Sequence, residues 1–228
     1  RLRISSNGSM RLQKADGNGN FTISRNASVT TTDQTIGVLD FASNTAHTVQ
    51  ARVMGKTRGT SNVGGDLVVE ARADGGSLDE RFRITGGGQI GVNNSSPDPW
   101  HPSYKSIQIY DAGVLYGSTD DSFVGLGANH YLNTSGNFIY SNSDFASRFY
   151  HVNGEFYFEG AASGTAGNSF SFTQRLRITS TGQIRIDQAT SANNGIRMRP
   201  SGWNYDFRMG AVSSSGGSIW LGQNYEPT

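Results

Sequence analysis

The 228-residue sequence contains no cysteine, which excludes a disulfide framework and any metal site built on thiolates. No apolar run approaches the roughly 20 residues that a membrane-spanning helix requires, so we expect no membrane insertion. The sequence also lacks a Gly-x-x-x-x-Gly-Lys-Ser/Thr motif, and phosphate binding by a P-loop is therefore excluded.

Charge of either sign is scarce. The chain has 19 Lys and Arg against 18 Asp and Glu, which leaves a net charge of +1. Such a balance provides no long-range field that would gather nucleic acid or an anionic membrane. The arginines are spread along the chain instead of forming a basic patch, so we expect no nucleic-acid partner.

Hydrophobic residues are also few, at 35%, while glycine occupies 30 positions. Aromatic residues nevertheless reach 11%, and Thr, Ile and Val are frequent, whereas disordered chains have few of these. Short strands that each bury one side in thin layers explain both observations. The composition therefore favours a folded, all-β protein without a large compact core.

Three segments of twelve residues align without gaps, at residues 1–12, 81–92 and 175–186. Their pattern is Arg, apolar, Arg, Ile, Ser/Thr, two variable residues, Gly, one variable residue, Ile/Met, one variable residue and an apolar residue. The repeated positions are Arg1, Arg3, Ile4, Gly8, Arg81, Arg83, Ile84, Gly88, Arg175, Arg177, Ile178 and Gly182.

The repeat predicts a strand, a tight turn and a second strand. Polar and apolar residues alternate with the period of two that a half-buried strand requires. The glycine allows a positive φ at little cost, which closes the hairpin. We expect the apolar residues before the turn to face inward: Leu2 and Ile4, Phe82 and Ile84, and Leu176 and Ile178.

The copies lie too far apart for the coils of a short-period β-solenoid and instead predict an elongated series of modules. Residues 1–12 would end a preceding module, and residues 13–92 and 93–186 would each form a module closed by its hairpin. Residues 187–228 would begin a third, truncated module. A fainter similarity links Ile107–Ile109 with Ile196–Met198, and Phe123–Gly127 with Ile219–Gly222.

A single chain of such modules would expose apolar faces and strand edges, which promotes aggregation. Identical chains wound around a shared axis would bury those surfaces, and closed cyclic symmetry satisfies every subunit equally. We therefore expect an intertwined fibre, and we take a homotrimer as the hypothesis for its subunit number.

The second copy continues as Glu80-Arg-Phe-Arg-Ile-Thr-Gly-Gly-Gly-Gln-Ile-Gly-Val-Asn-Asn-Ser-Ser-Pro97. This segment resembles one that recurs in phage tail-fibre proteins, especially those of marine cyanophages, and Thr32–Phe41 is also similar to fibre segments of that group. In that family the motif often precedes an intramolecular chaperone that trimerises the fibre. Nothing in this sequence matches the chaperone, so the resemblance implies a shaft segment. The third copy departs from the family pattern after Ile186, where no Ser-Pro ending follows.

Catalysis by paired carboxylates, as in a polysaccharide depolymerase, would need two carboxyls about 5 to 9 Å apart. The available sets are Asp120 with Asp121, Asp66 with Glu70, and Glu155 with Glu159. Asp120 and Asp121 lie in the segment Gly-Ser-Thr-Asp-Asp-Ser, whose residues are typical of a turn. The members of the other two sets are spaced i and i+4 on strands, which separates them by about 13 Å. We therefore predict no enzyme.

The four histidines, His47, His101, His130 and His151, are scattered, and no pattern of metal ligands is present. Threefold symmetry could bring three copies of one histidine together on the axis, but a structural role is favoured. The segment Asp16–Asn20 begins like a calcium loop yet lacks the later glutamate, and it predicts a turn. We expect no cofactor.

The repeated arginines have two interpretations, which are ligand contact and structural pairing. Because they recur in every module, we favour pairing with backbone carbonyls or with acidic groups of an adjacent chain. Aromatic side chains would contact sugars if they were exposed, and the candidates are Trp100, Trp203, Tyr205 and Trp220. Packing within a thin β core is the more frequent role of such rings.

The sequence thus predicts a structural virion component, a tail-fibre shaft segment that holds or extends a host-recognition tip. Its partners would be further copies of itself, other tail or fibre proteins and a host surface glycan. One alternative is a lectin-like receptor-binding module. A second is a subunit of a bacterial extracellular filament or adhesin.

Overall fold

The protein is described from a computed structural model. The structure describes residues 2–4, 10–12, 21–25, 28, 30–43, 46–60, 64–119, 121–186, 196–198, 205–211 and 219–225, with side chains described between residues 21 and 186. Every element in these ranges is a β-strand, and the strand pairings within each of the two units described below are antiparallel. No helix in the described ranges could span a membrane. The expected all-β class is thereby confirmed.

The chain divides into two compact units, Arg1–Pro97 and Asp98–Thr228. The strands of the first unit are β1 (Leu2–Ile4), β2 (Met10–Leu12), β3 (Thr35–Ser43), β4 (Thr48–Thr57), β5 (Gly65–Arg72), β6 (Leu78–Ile84) and β7 (Ile90–Val92). Strands β1 and β2 form a hairpin, and β3 to β7 form a meander in chain order.

The second unit begins with β8 (Tyr104–Ile109), β9 (Gly113–Ser118), β10 (Val124–Ala128), β11 (Tyr131–Leu132), β12 (Phe138–Ile139), β13 (Ala146–Val152) and β14 (Glu155–Ala161). It continues with β15 (Ser169–Phe170), β16 (Thr173–Ile178), β17 (Ile184–Ile186), β18 (Ile196–Met198), β19 (Tyr205–Ala211) and β20 (Ile219–Tyr225).

The main sheet of the second unit has the order β17-β16-β14-β13-β10-β9-β8, and smaller sheets are formed by β11-β12-β15 and β18-β19-β20. The faint sequence similarity noted above joins β8 with β18 and β10 with β20, which are the first and third strands of two meanders. The module boundaries drawn from the sequence, at residues 12, 92 and 186, stay predictions.

All three copies of the repeat form hairpins of the same register. The partners of Ile4, Ile84 and Ile178 are Met10, Ile90 and Ile184. In the two later copies the turns also match, since the amide of Gly88 donates to the Thr85 carbonyl and that of Gly182 to the Thr179 carbonyl.

The hydroxyl oxygens of Thr85 and Thr179 accept the amides of Gln89 and Gln183, which adds a side-chain bond to each turn. Gly88 and Gly182 have φ of 82° and 83°, the left-handed region that favours glycine. Arg1 and Gly8 of the first copy lie outside the described residues, and only the backbone of Arg3 and Ile4 is described.

A β-bulge occurs at the first arginine of the repeat in both later copies. Val69 faces Phe82 and Glu70 faces Glu80, so Arg81 is an extra residue in β6. Phe158 faces Leu176 and Glu159 faces Gln174, so Arg175 is the extra residue in β16. Each bulge shifts the alternation by one residue and places positions 80 and 83, or 174 and 177, on the same sheet face.

The predicted inward direction of the repeat's apolar residues is wrong at Ile84 for the single chain, and the side chains of Leu2 and Ile4 lie outside those described. Arg83 is only 4% exposed, whereas Ile84 is 36% exposed. Phe82, Leu176 and Ile178 are half-buried. The reason is that Met54 and Val68 are buried beside Arg83, where ion pairs surround its guanidinium, whereas Leu39 and Phe41 on the opposite face are exposed.

The core of the second unit lies between its main sheet and the loops and short strands above it. Trp100, Val114 and Tyr116 are buried together, with the Trp100 and Tyr116 ring centroids 4.7 Å apart. His130 is 2% exposed and packs edge-on against Tyr116. Gly127 lies beneath the His130 ring, where a side chain would collide with it.

Candidate functional site

The most prominent surface of the first unit is a sheet face composed of apolar residues. One row of cross-strand partners runs across all five strands of the meander: Leu39, Val53, Val69, Phe82 and Val92. Residues that face each other across antiparallel strands point to the same side of the sheet. This row therefore forms an unbroken apolar band.

Flanking residues widen this band. Leu67, Ile84 and Ile90 are partners in the next row, and Phe41 faces Ala51 on the other side. Leu39 and Phe41 are 52% and 53% exposed. Asp79, opposite Ala71, is a charged residue at the edge of this face, and it pairs with Arg81, the extra residue of the bulge.

The second unit has a face of the same kind. One row crosses seven strands through Ile107, Leu115, Leu126, Phe149, Phe158, Leu176 and Ile186. The row beside it contains Val124, His151, Phe156, Ile178 and Ile184. Leu126 is 57% exposed and Ile184 is 68% exposed. We call these two surfaces the apolar faces.

The opposite side of the first unit's sheet has a network of ion pairs. The Arg83 guanidinium donates to Glu80 Oε1 at 2.8 Å, to Asp66 Oδ2 at 2.7 Å and to Asp33 Oδ1 at 2.9 Å. The bulge at Arg81 is what allows Glu80 and Arg83 to meet on one face. Hydrogen bonding to Glu80 raises the pKa of Arg83, so this cation stays charged.

The second unit repeats this arrangement. Arg177 pairs with Glu155, and its guanidinium lies 5.0 Å from the Tyr157 ring centroid. Arg148 pairs with Glu159 at 2.6 Å, as Arg52 pairs with Glu70 at 3.8 Å in the first unit. In both units the second arginine of the repeat bonds to an acid of the same chain. Pairing of the repeated arginines with an adjacent chain stays a prediction.

The carboxylate pairs considered for catalysis therefore have structural partners. Asp66 and Glu155 bind the second arginine of their repeats, and Glu70 and Glu159 bind an arginine of the preceding strand. Asp120 lies outside the described residues. The described ranges contain no group of three or more His, Asp or Glu residues placed to hold a metal ion.

Of the predicted sugar-contacting residues, Trp100 is 4% exposed and packed into the core, so its ring is not available for stacking on a sugar. Trp203 lies outside the described residues, as does the predicted turn at Asp16. Only the backbone of Tyr205 and Trp220 is described, in β19 and β20.

The sequence analysis missed the apolar faces as a site, although it expected apolar surface to be exposed. It also missed that the duplication extends beyond the hairpin. A signal for this was present in the sequence. The strand that pairs with the first strand of each hairpin contains an acidic residue and, four positions later, a glutamate: Asp66 and Glu70, and Glu155 and Glu159.

No protein-family profile and no curated protein matches the sequence. Among solved structures, the chain is similar to the carboxy-terminal domain of the bacteriophage T5 L-shaped tail fibre, with 14% identity, coverage of 91% of this chain and 98% of that one, and a TM-score of 0.48. The same domain with its intra-molecular chaperone domain gives 14% identity, coverage of 91% and 67%, and a TM-score of 0.44. At these scores we draw no functional conclusion from the likeness.

Proposed function

We propose that the chain is a non-catalytic structural segment of a virus tail-fibre shaft that self-associates through its apolar faces. The observation that supports this proposal is the unbroken apolar row across each sheet, from Leu39 to Val92 and from Ile107 to Ile186. A contiguous apolar surface of this extent marks an interaction site in a soluble protein.

A second and third copy of the same chain are the partners that this surface fits best. The described ion pairs of each unit join side chains of the same unit, and its apolar row crosses consecutive paired strands, so a single copy can contribute a complete apolar face. Cyclic symmetry would bring the same apolar face of every copy to the axis and leave the charged faces outside. A trimer is our hypothesis for the subunit number.

The viral assignment is supported by the repeated motif of residues 81–92 and 175–186, which resembles phage tail-fibre segments. The proposal therefore locates the chain in the virion, outside the host cell. Neighbouring fibre or tail proteins would continue the shaft at its ends. Recognition of a host surface glycan would belong to a tip and not to the two described apolar faces.

The test is the solution mass of the protein by light scattering, together with its resistance to heat and detergent. For the natural sequence we expect a particle with the mass of three chains. Leu126→Lys places a charge in the middle of the second unit's apolar face and should reduce the mass to one chain while the β circular dichroism is kept. Ser135→Lys, in an exposed turn, is the matched control and should leave the mass unchanged.

A folded monomer of the natural sequence would contradict the proposal. An open series of masses that grows with concentration would instead favour the filament or adhesin subunit, because head-to-tail contacts do not close. Release of reducing sugar from a host capsule would favour a depolymerase.

A further inference from the structure

We propose that His151 makes the association of the apolar faces sensitive to acid. The inference rests on the proposed function, since it concerns the same surface. It assigns to one residue of that surface a role in controlling whether the copies stay together.

His151 lies in the outer row of the second unit's apolar face, near the end of β13. Its cross-strand partners are Val124 on β10 and Phe156 on β14. The ring centroids of His151 and Phe156 are 6.0 Å apart. On its own strand, Phe149 is the next residue that points to the same side.

The described strands of this face contain a further charged residue, Lys105 on β8, and β16 adds Arg175, the exposed extra residue of its bulge. Lys105 lies in the same row as His151, separated from it by Gly117 and Val124. The carboxylates of the neighbouring strands, Glu155 and Glu159, alternate to the opposite face.

Arg148, Arg177 and Arg185 also belong to that opposite face, where Arg148 and Arg177 pair with acids. The apolar face thus presents to His151 no carboxylate from any described strand that packs beside it. Since the copies are identical, the same face of a second copy brings the same residues and again no carboxylate from the described strands of this unit.

A neutral imidazole can be buried in such an interface, but an imidazolium cannot be buried without a compensating charge. Its neighbours would be apolar side chains, Lys105 and the His151 side chains of other copies. Histidine is the residue type that changes its charge between about pH 8 and pH 5. The association should therefore be stable in neutral solution and weaken in acid.

The experiment compares the assembled mass at about pH 8 and about pH 5 for the natural sequence, for His151→Phe and for His47→Asn. Analytical ultracentrifugation over a concentration series gives the dissociation constant at each pH. For the natural sequence we expect this constant to rise at least roughly tenfold in acid, because burying a charged imidazole in an apolar interface is unfavourable.

His151→Phe should remain assembled at both pH values, because a phenyl ring fits the face and cannot be protonated. His47→Asn is the matched control, since it removes a histidine from a turn of the first unit at a positive φ that asparagine accepts. This variant should behave like the natural sequence. Near-ultraviolet circular dichroism at each pH shows whether the chain itself stays folded.

The outcomes separate the two proposals. Absence of assembly at pH 8 would overturn the proposed function. Assembly at pH 8 that is equally strong at pH 5 would overturn the role of His151 alone. The role of His151 would also be overturned if the His151→Phe variant dissociated in acid as the natural sequence does. The acid response would then come from another group.

Discussion

Asp66 and Glu155 occupy equivalent places in the two units, although they belong to segments with little identity. Each directly precedes the strand residue that faces the isoleucine of the repeat, Leu67 opposite Ile84 and Phe156 opposite Ile178. Each accepts hydrogen bonds from the second arginine of its repeat. The repeat is therefore a structural unit of strand, carboxylate, bulge and hairpin.

Arg83→Ala should destabilise the first unit strongly. The Arg83 side chain is 5% exposed and that of Asp66 is 4% exposed, so the substitution would leave a buried carboxylate short of its closest cation. Removing one partner of a buried pair costs about 3–5 kcal/mol. Urea unfolding at a fixed protein concentration measures the change.

Arg81→Ala is the control for this prediction, because Arg81 is 38% exposed and pairs with the exposed Asp79. It should cost less than about 1 kcal/mol. Equal losses for the two variants would mean that the network around Arg83 does not stabilise the unit.

Gly127→Ala should destabilise the second unit by overpacking. A Cβ at this position would lie 2.2 Å from Cε1 of His130, whose ring is enclosed by other aromatic rings. Overpacking of this kind costs about 1–3 kcal/mol. Gly117→Ala on the neighbouring strand meets its nearest atom at 3.5 Å and should be close to neutral. Thermal unfolding of both variants would reveal the difference, and a stable Gly127→Ala protein would refute the close contact.

Gly182→Ala should weaken the second hairpin through backbone strain alone, since no atom lies within 4 Å of the new Cβ. At a φ of +83° an alanine costs roughly 1–2 kcal/mol. Gly182→Asn should recover part of this loss, because asparagine tolerates left-handed backbone. Hydrogen exchange of the Gln183 amide, which bonds to Thr179, follows the local opening. An unchanged exchange rate in Gly182→Ala would contradict the prediction.

Acid should destabilise the second unit through His130. Burial lowers the pKa of this imidazole from 6.5 to about 4, and the positive charge of Arg148 acts in the same direction. Between these values the unfolded chain binds the proton and the folded chain does not, so stability falls as the pH decreases from about 6.5 to about 4. The loss is on the order of 3 kcal/mol.

The pH dependence of urea unfolding in the second unit measures this effect, with the fluorescence of the buried Trp100 as one signal. His130→Phe should flatten the profile in this range, whatever its effect on stability at neutral pH. A profile that stays as steep in the variant would assign the acid response to other groups.

The all-β class and the hairpins could be predicted from the sequence because their signals are local. Alternation of residue types and a glycine three residues after Thr85 or Thr179 are sufficient to indicate strands and a tight turn. The position of the bulge could not be predicted in this way. The Arg-x-Arg-Ile pattern does not show whether its first arginine has a partner on the neighbouring strand or is the extra residue of a β-bulge.

The buried side of the first unit in the single chain was predicted incorrectly at Arg83 and Ile84 for a similar reason. Period-two alternation shows that Ile84 and Arg83 point to opposite sides, but the choice of the buried side depends on contacts distant in sequence. Asp33 and Asp66 supply those contacts to Arg83. The burial of Trp100 likewise depends on Tyr116, which lies on a later strand.

Because the bulge, the hairpin and the arginine–carboxylate pairs are complete within each unit, a unit can be gained or lost as a block of coding sequence. Such an exchange leaves the described arginine–carboxylate pairs and the described apolar rows of the remaining unit intact. The length of the molecule could thus change in discrete steps during evolution, while the chemistry of every remaining segment stays the same.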